Sequence, residues 1–327
     1  MRLAGEPVVI TLSPRLGAVF PAVVARLLQD GAALHADTDV PDELTRLCGA
    51  HPVGEAVRGL LLTLDPGTGA AAHWVAAGAT VLTTPEPVGA ALLDAVAVMD
   101  RLRSPGGCPW DAEQTHYSLM RYLVEEAYEL YQALEDSDTA ALREELGDVL
   151  LQVLFHARVA QEASEGFDID AVATGLVAKL VTRHPHVFAG GEQVHTAAEQ
   201  ETRWEQLKRA EKCRESSVDG VALTQPAVAL VAKLVSRATK AALPADLLPG
   251  ADCGGPDGGG VDGGRGESLF ALSAAATLAG EDPEAALRRV ARRFADDVRA
   301  AERSARAAGL DADQLTPAQW RAHWRSP

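Results

Sequence analysis

Aromatic residues make up only 5% of this chain, and much of its 47% apolar content is alanine. Alanine has the strongest intrinsic helix propensity, so a largely helical chain is expected. Cysteine is also scarce. Cys48, Cys108, Cys213 and Cys253 are widely separated and no CxxC occurs, which excludes a zinc cluster and a disulfide framework. Basic residues are outnumbered: 30 Lys and Arg stand against 46 Asp and Glu, for a net charge of -16. So acidic a surface argues against nonspecific binding to nucleic acid or to an anionic membrane. It leaves room for a polyanionic substrate only where metal ions bridge the two. Residues 1–86 hold no GxGxxG and no GKS or GKT, so a Rossmann or P-loop nucleotide site has no support there. No uncharged apolar run reaches the roughly 18 residues of a membrane span. The opening MRLAGEPVVITLSP lacks the apolar core and cleavage site of a signal peptide. A cytoplasmic protein, with neither nucleic-acid nor membrane partners, is the expectation.

The 327 residues suffice for two or three domains. Residues 1–86 alternate short apolar runs (8–12, 33–36, 60–64 and 79–83) with helix-like stretches (17–29, 41–48 and 69–77). This βαβ rhythm suggests a small, mostly parallel sheet with a docking or structural role. From 87 to 215 the pattern is helical, over 88–102, 118–134, 139–163, 169–183 and 197–211. The fourth of these must stop at His184, because proline disfavours α geometry in the residue before it. Residues 216–327 are helical again from Pro226, broken by a loop at 250–266 that holds nine glycines in 17 residues. Such a stretch has little to bury and a high ordering cost.

The chemistry concentrates in two adjacent helices. Glu125, Glu126 and Glu129 lie in VEEAYEL; Glu144, Glu145 and Asp148 lie in REELGDV. Residues three apart share a helix face, so Glu126 pairs with Glu129 and Glu145 with Asp148. Counted from Ser137, Glu129 is 8 residues before and Glu145 8 after, while Glu126 and Asp148 are 11 before and 11 after. In an antiparallel hairpin capped by Asp138, the four acids therefore stand at matching heights. Four carboxylates so close repel, and either a cation neutralises them or some take up protons. Hard oxygen ligands select Mg²⁺, Mn²⁺ or Ca²⁺ over zinc. Leu123, Leu130, Leu146 and Val149 flank the acids, which places them beside the core rather than on a solvated face. Glu125 and Glu144 are one residue out of phase and belong to the surroundings. A di-iron site would need Glu-x-x-His pairs; Glu129 and Asp148 occupy those fourth positions, and His156 is out of step.

EExxE followed after 15 residues by ExxD, here Glu125-Glu126-Ala-Tyr-Glu129 and Glu145-Leu-Gly-Asp148, resembles the signature of the MazG group of all-α nucleotide pyrophosphohydrolases. The surroundings resemble it too: LRSPGGCPWDAEQTHYSL at 102–119, ELGDVLLQVLFHA at 145–157, KLVTRHPHVF at 179–188 and WEQLK at 204–208. The resemblance covers roughly residues 90–215. It implies Mg²⁺-dependent hydrolysis of NTPs or dNTPs to the monophosphate and pyrophosphate, with Mn²⁺ a substitute, in nucleotide-pool house-cleaning. It implies Glu126, Glu129, Glu145 and Asp148 as metal ligands and catalytic acids, with Glu125 behind them. Lys179 and Arg183 match the phosphate-contacting positions; Trp204, Lys208 and Trp110 are further candidates for substrate contact. A non-catalytic nucleotide sensor and a narrow dUTP- or dCTP-type hydrolase stay open as alternatives.

The fold implied is mainly α, with the catalytic hairpin in a four-helix bundle after a small α/β domain. A second chain or the C-terminal half would complete that bundle, so a homodimer or higher homo-oligomer is expected. The first 86 residues resemble a truncated tetrapyrrole-methylase-type α/β domain, from which no activity is carried over. The C-terminal half resembles a decayed second MazG unit. Gly-rich sequence replaces its first acid pair, Glu267 survives alone, and Arg293 and Asp297 stand where the basic pair would be.

Overall fold

The computed structural model of the chain describes residues 6–190, 196, 199–200, 203–204, 215–249 and 264–324. They fall into two compact units, residues 1–191 and 192–327. The first begins with a five-stranded parallel sheet of β1 (Val8–Thr11), β2 (Leu34–Ala36), β3 (His51–Pro52), β4 (Leu60–Thr63) and β5 (Thr80–Thr83). The spatial order is β3-β2-β4-β1-β5. Val8 pairs with Leu60 on one side and Thr80 on the other. Helices α1 (Ala22–Gln29), α2 (Asp42–Leu47) and α3 (Gly69–Ala76) cover it. Side chains alternate across a strand, and the core divides accordingly. Val8, Ile10, Leu60 and Leu62 pack with Val24 and Leu27 of α1, while Val9 and Leu61 pack with Ala71 and Trp74 of α3.

Open α/β sheets commonly hold ligands beyond the carboxyl ends of their strands. Here the chain's own acids take those backbone donors. Asp39 Oδ2 accepts from Thr63 Oγ1 at 2.7 Å, Leu64 N at 2.8 Å and Asp65 N at 2.9 Å. Asp37 accepts from Thr38 N and from Ala71 N, both at 2.7 Å. Gly69, at φ +56°, would bring a Cβ to 2.8 Å from the Asp37 carboxylate, so that close approach needs glycine.

Five further helices complete the first unit: α4 (Ala91–Arg103), α5 (Pro109–Glu113), α6 (His116–Asp136), α7 (Thr139–Ala160) and α8 (Ile169–Arg183), with a single turn, α9 (Pro185–Phe188), after it. Arg15, past β1, bonds Asp94 of α4 at 2.7 Å and also Glu86, tying the sheet to the helices. The α6–α7 hairpin closes as the sequence predicts. Ser137 makes the turn with left-handed backbone at φ 55°, and the Asp138 carboxylate accepts from Ala140 N and Ala141 N at 2.9 and 3.1 Å. Met99, Leu119, Leu154 and Phe155 form the core under the hairpin.

Several expectations shift. The first helix starts at Ala22 rather than 17, because Gly17 has a positive φ and Pro21 supplies the cap. Helix α6 starts two residues early, through a capping box between Thr115 and Ser118. Strand β3 and helix α5 carry too little periodicity to be read from sequence. Of the four apolar flanks of the acids, Leu130 and Val149 are half-buried, while Leu123 is 40% and Leu146 53% exposed among the described residues.

The second unit contains α10 (Ala227–Lys240), α11 (Gly264–Leu278), α12 (Pro283–Ala307) and α13 (Pro317–His323). Leu287, Val290 and Phe294 of α12 are half or more exposed among the described residues. Residues 197–198, 201–202 and 205–211 of the helix expected at 197–211, and most of the Gly-rich loop, lie outside the described residues.

Asp138→Ala removes the cap that starts α7 and should lower unfolding stability by about 1 kcal/mol. Urea unfolding followed by circular dichroism measures this, and an unchanged midpoint would show that the cap does not hold the hairpin.

Candidate metal centre

The hairpin delivers the acids from both helices to one place. A carboxylate oxygen from each of Glu126, Glu129 and Glu145 lies within 4.8 Å of the others. Asp148 belongs to the same electrostatic group. Burial first and the Asp148 charge second push the Glu126 carboxyl above its ordinary value of 4.5. Burial raises Glu145 too, followed by Glu129 and then Asp148. Glu125 and Glu144 add smaller repulsive contributions from just outside the cluster. Glu145 Oε2 is buried and has no hydrogen-bond partner. A buried carboxylate oxygen with no donor, among like charges, fits a site completed by a hard divalent cation. Among the described residues no other group of three Asp, Glu, His or Cys side chains comes this close.

At the far end of α7 a polar frame ties this helix to α4 and α5. Arg103, at the end of α4, grips Glu162 with both arms of its guanidinium at 2.7 and 2.9 Å and donates to the Asp111 carbonyl at 2.6 Å. Arg158 reinforces this through Asp100 at 2.8 Å and Glu162 at 2.9 Å. The two arginines hold the Glu162 carboxyl below its usual range, Arg103 contributing most. The loop between α4 and α5 passes so close that a Cβ on Gly107 would lie 2.2 Å from the Leu102 carbonyl. This clamps Trp110 at the foot of the hairpin. Its ring meets Tyr122 and Phe155 edge-on at 6.0 and 6.4 Å, while half of it stays exposed.

Lys179 and Arg183 stand on α8 rather than on the hairpin itself. Lys179 is exposed on α8, and Arg183, one turn later, is buried; α8 packs on α7. Trp204 is half-buried and falls in the second unit. Lys208 lies outside the described residues. Two polar features escaped the sequence reading. Gln152 is buried on α7 one turn past Asp148. His116 and His156 stack at 5.1 Å with their Nδ1 atoms 2.8 Å apart, and burial followed by the His116 charge lowers the His156 pKa. The signal for Gln152 was present: an amide inside the apolar run Leu150-Leu-Gln-Val-Leu-Phe155.

Comparison with known proteins places these elements in context. The MazG nucleotide pyrophosphohydrolase domain matches residues 114–188, and the MazG N-terminal domain matches residues 7–82. The chain is 39% identical to the nucleoside triphosphate pyrophosphohydrolase of Mycobacterium tuberculosis, over 97% of this chain and 94% of that one. It is 42% identical to the protein of the same name from Mycolicibacterium smegmatis, over 81% of this chain and 79% of that one. A solved MazG-related protein from Thermotoga maritima is 31% identical and covers 36% of this chain and 97% of its own, with a TM-score of 0.30.

The raised carboxyls set a pH dependence. Glu126 and Glu145 hold protons more tightly in the folded protein than in the unfolded chain. Their contribution to stability is therefore fully present below the ordinary carboxylate value and is lost as pH rises through their raised values. With a chelator present, Tm should fall over that window, and Glu126→Gln should flatten the fall. A chelated protein whose Tm rises steadily across the same range would contradict mutual repulsion in the cluster.

Proposed function

The chain belongs to the MazG nucleotide pyrophosphohydrolase family and is an enzyme of that class, and from this premise we propose Mg²⁺-dependent hydrolysis of NTPs or dNTPs to the monophosphate and pyrophosphate. The observation that carries the metal dependence is the cluster of Glu126, Glu129 and Glu145 oxygens, with Asp148 pressing on Glu126. These four acids hold the cation, with Mn²⁺ a workable substitute. When bound, Mg²⁺ polarises a phosphoryl oxygen and lowers the pKa of a nearby water.

The protein's side chains do the rest. Glu125 and Glu144 add negative field around the acids. Lys179 and Arg183, one turn apart on α8, bring positive charge to the phosphate chain, where developing charge is stabilised. Trp110 presents a half-exposed indole, a flat surface for a base. Trp204 and Lys208 complete the substrate contacts proposed from the motif. The role is nucleotide-pool house-cleaning in the cytoplasm. No described helix is long and apolar enough to cross a membrane.

Apolar side chains on all three helices around the site support assembly with a second copy. Leu123, Leu134, Leu146, Leu176 and Val177 are each at least 40% exposed. A face of this kind on a soluble protein marks an interface. We assign it to a homodimer that completes a four-helix bundle over the hairpin.

Two measurements test this reading. Single Ala substitutions of Glu126, Glu129, Glu145 or Asp148 should each remove most pyrophosphate release from a panel of NTPs and dNTPs with Mg²⁺, while leaving helical circular dichroism intact. Near-wild-type turnover in any two would refute a shared site. The same panel separates broad from narrow base preference, and saturable nucleotide binding without turnover would mean a sensor. Lys179→Ala and Arg183→Ala should each lower kcat/KM by the equivalent of roughly 2–4 kcal/mol, the scale of one lost positioned donor. In light scattering the full chain should run as a dimer or larger, and a fully active monomer at micromolar concentration would refute the assembly.

A further inference from the structure

The inward face of α7 carries one polar residue that the acids do not account for. Gln152 is only 4% exposed, and its side-chain carbonyl oxygen makes no hydrogen bond. On a helix of 3.6 residues per turn, Glu145, Asp148 and Gln152 fall within an arc of about 60°, with Gln152 between the other two. Side chains on a helix lean toward its N-terminus. The Gln152 amide is therefore directed toward the turn that carries Asp148. On the same helix Leu154 and Phe155 belong to the buried core, and His156, one turn on, bonds His116 through its Nδ1 while its Nε2 is buried without a partner.

We propose that Gln152 is a positioning residue for the cation site, its carbonyl accepting a hydrogen bond from a water in the hydration shell of the divalent ion held by the four acids. This rests on the cation reading above. The chemistry of the neighbours selects the partner. Ionised carboxylates only accept hydrogen bonds, so none of them can satisfy another acceptor. Mg²⁺ loses its waters reluctantly and keeps several when bound through carboxylates. Those waters are strong donors and small enough to reach a buried amide, which a nucleobase is not. A neutral acceptor orients the shell without adding a fifth negative charge to a cluster that already repels itself.

The test uses the full chain and Mn²⁺ alone, followed by electron paramagnetic resonance titration, with Tm measured separately in chelator. Gln152→Leu should weaken Mn²⁺ binding about tenfold or more, the usual scale for losing a partner behind the ligands. In chelator the same variant should melt at or above the wild-type temperature, because an unsatisfied buried acceptor has been replaced by an apolar group of similar shape. Gln152→Glu keeps an acceptor at the same reach and should bind Mn²⁺ at least as tightly as wild type. Unchanged Mn²⁺ affinity in Gln152→Leu would overturn the role of Gln152 alone. So would a lower Tm for that variant in chelator, since that is the signature of a purely structural amide. Wild-type protein that binds no Mn²⁺ would overturn the cation reading itself.

Discussion

Like charge held close together is the constraint on which the acidic hairpin depends. Two helices of a hairpin each present a pair of acids, and burial keeps water from screening them fully. Glu126 and Glu145 consequently hold their protons above the ordinary range. A fold does not gather carboxylates this way for its own stability; the arrangement raises the free energy of the cation-free protein. What offsets it lies in the hairpin's ends. A left-handed Ser137 and the Asp138 cap close one end, and at the other the Arg103, Arg158 and Glu162 network ties α7 to α4. Near the open end, His116 of α6 stacks on and hydrogen-bonds His156 of α7, which opposes splaying of the two helices.

The same hairpin carries its acids beside exposed apolar side chains. One side of α7 packs on α4 and α8 through Leu154 and Phe155, while Leu123 and Leu146, beside the acids, face outward. Covering that side with a second copy would exclude water from around the acids. It would also strengthen every electrostatic interaction in the site, since the effective dielectric falls with burial. Assembly and catalysis would then depend on one set of side chains.

Much of the catalytic hairpin was legible because its information is local. The spacing of Glu126, Glu129, Glu145 and Asp148 about Ser137 fixes their heights on two helices once the turn is located, and Asp138 locates it. Helix α8 runs from Ile169 to Arg183 as the apolar period and Pro185 require. What was not legible depends on distant partners. The order β3-β2-β4-β1-β5 needs pairings between Val8, Leu60 and Thr80 that no local pattern states. The exposure of Leu123 and Leu146 could not be read either, because periodicity marks an apolar face without saying what covers it. Gln152 was passed over for a related reason. A single amide in an apolar run looks like a tolerated core residue until its carbonyl is found buried and unsatisfied.

The most direct measurement is a crystal of the full chain soaked in Mn²⁺ and recorded at an anomalous-scattering wavelength. The account expects a strong peak enclosed by Glu126, Glu129, Glu145 and Asp148, absent from a crystal of the Glu145→Ala protein. A fully occupied Mn²⁺ bound elsewhere, with no peak among these four acids, would contradict it.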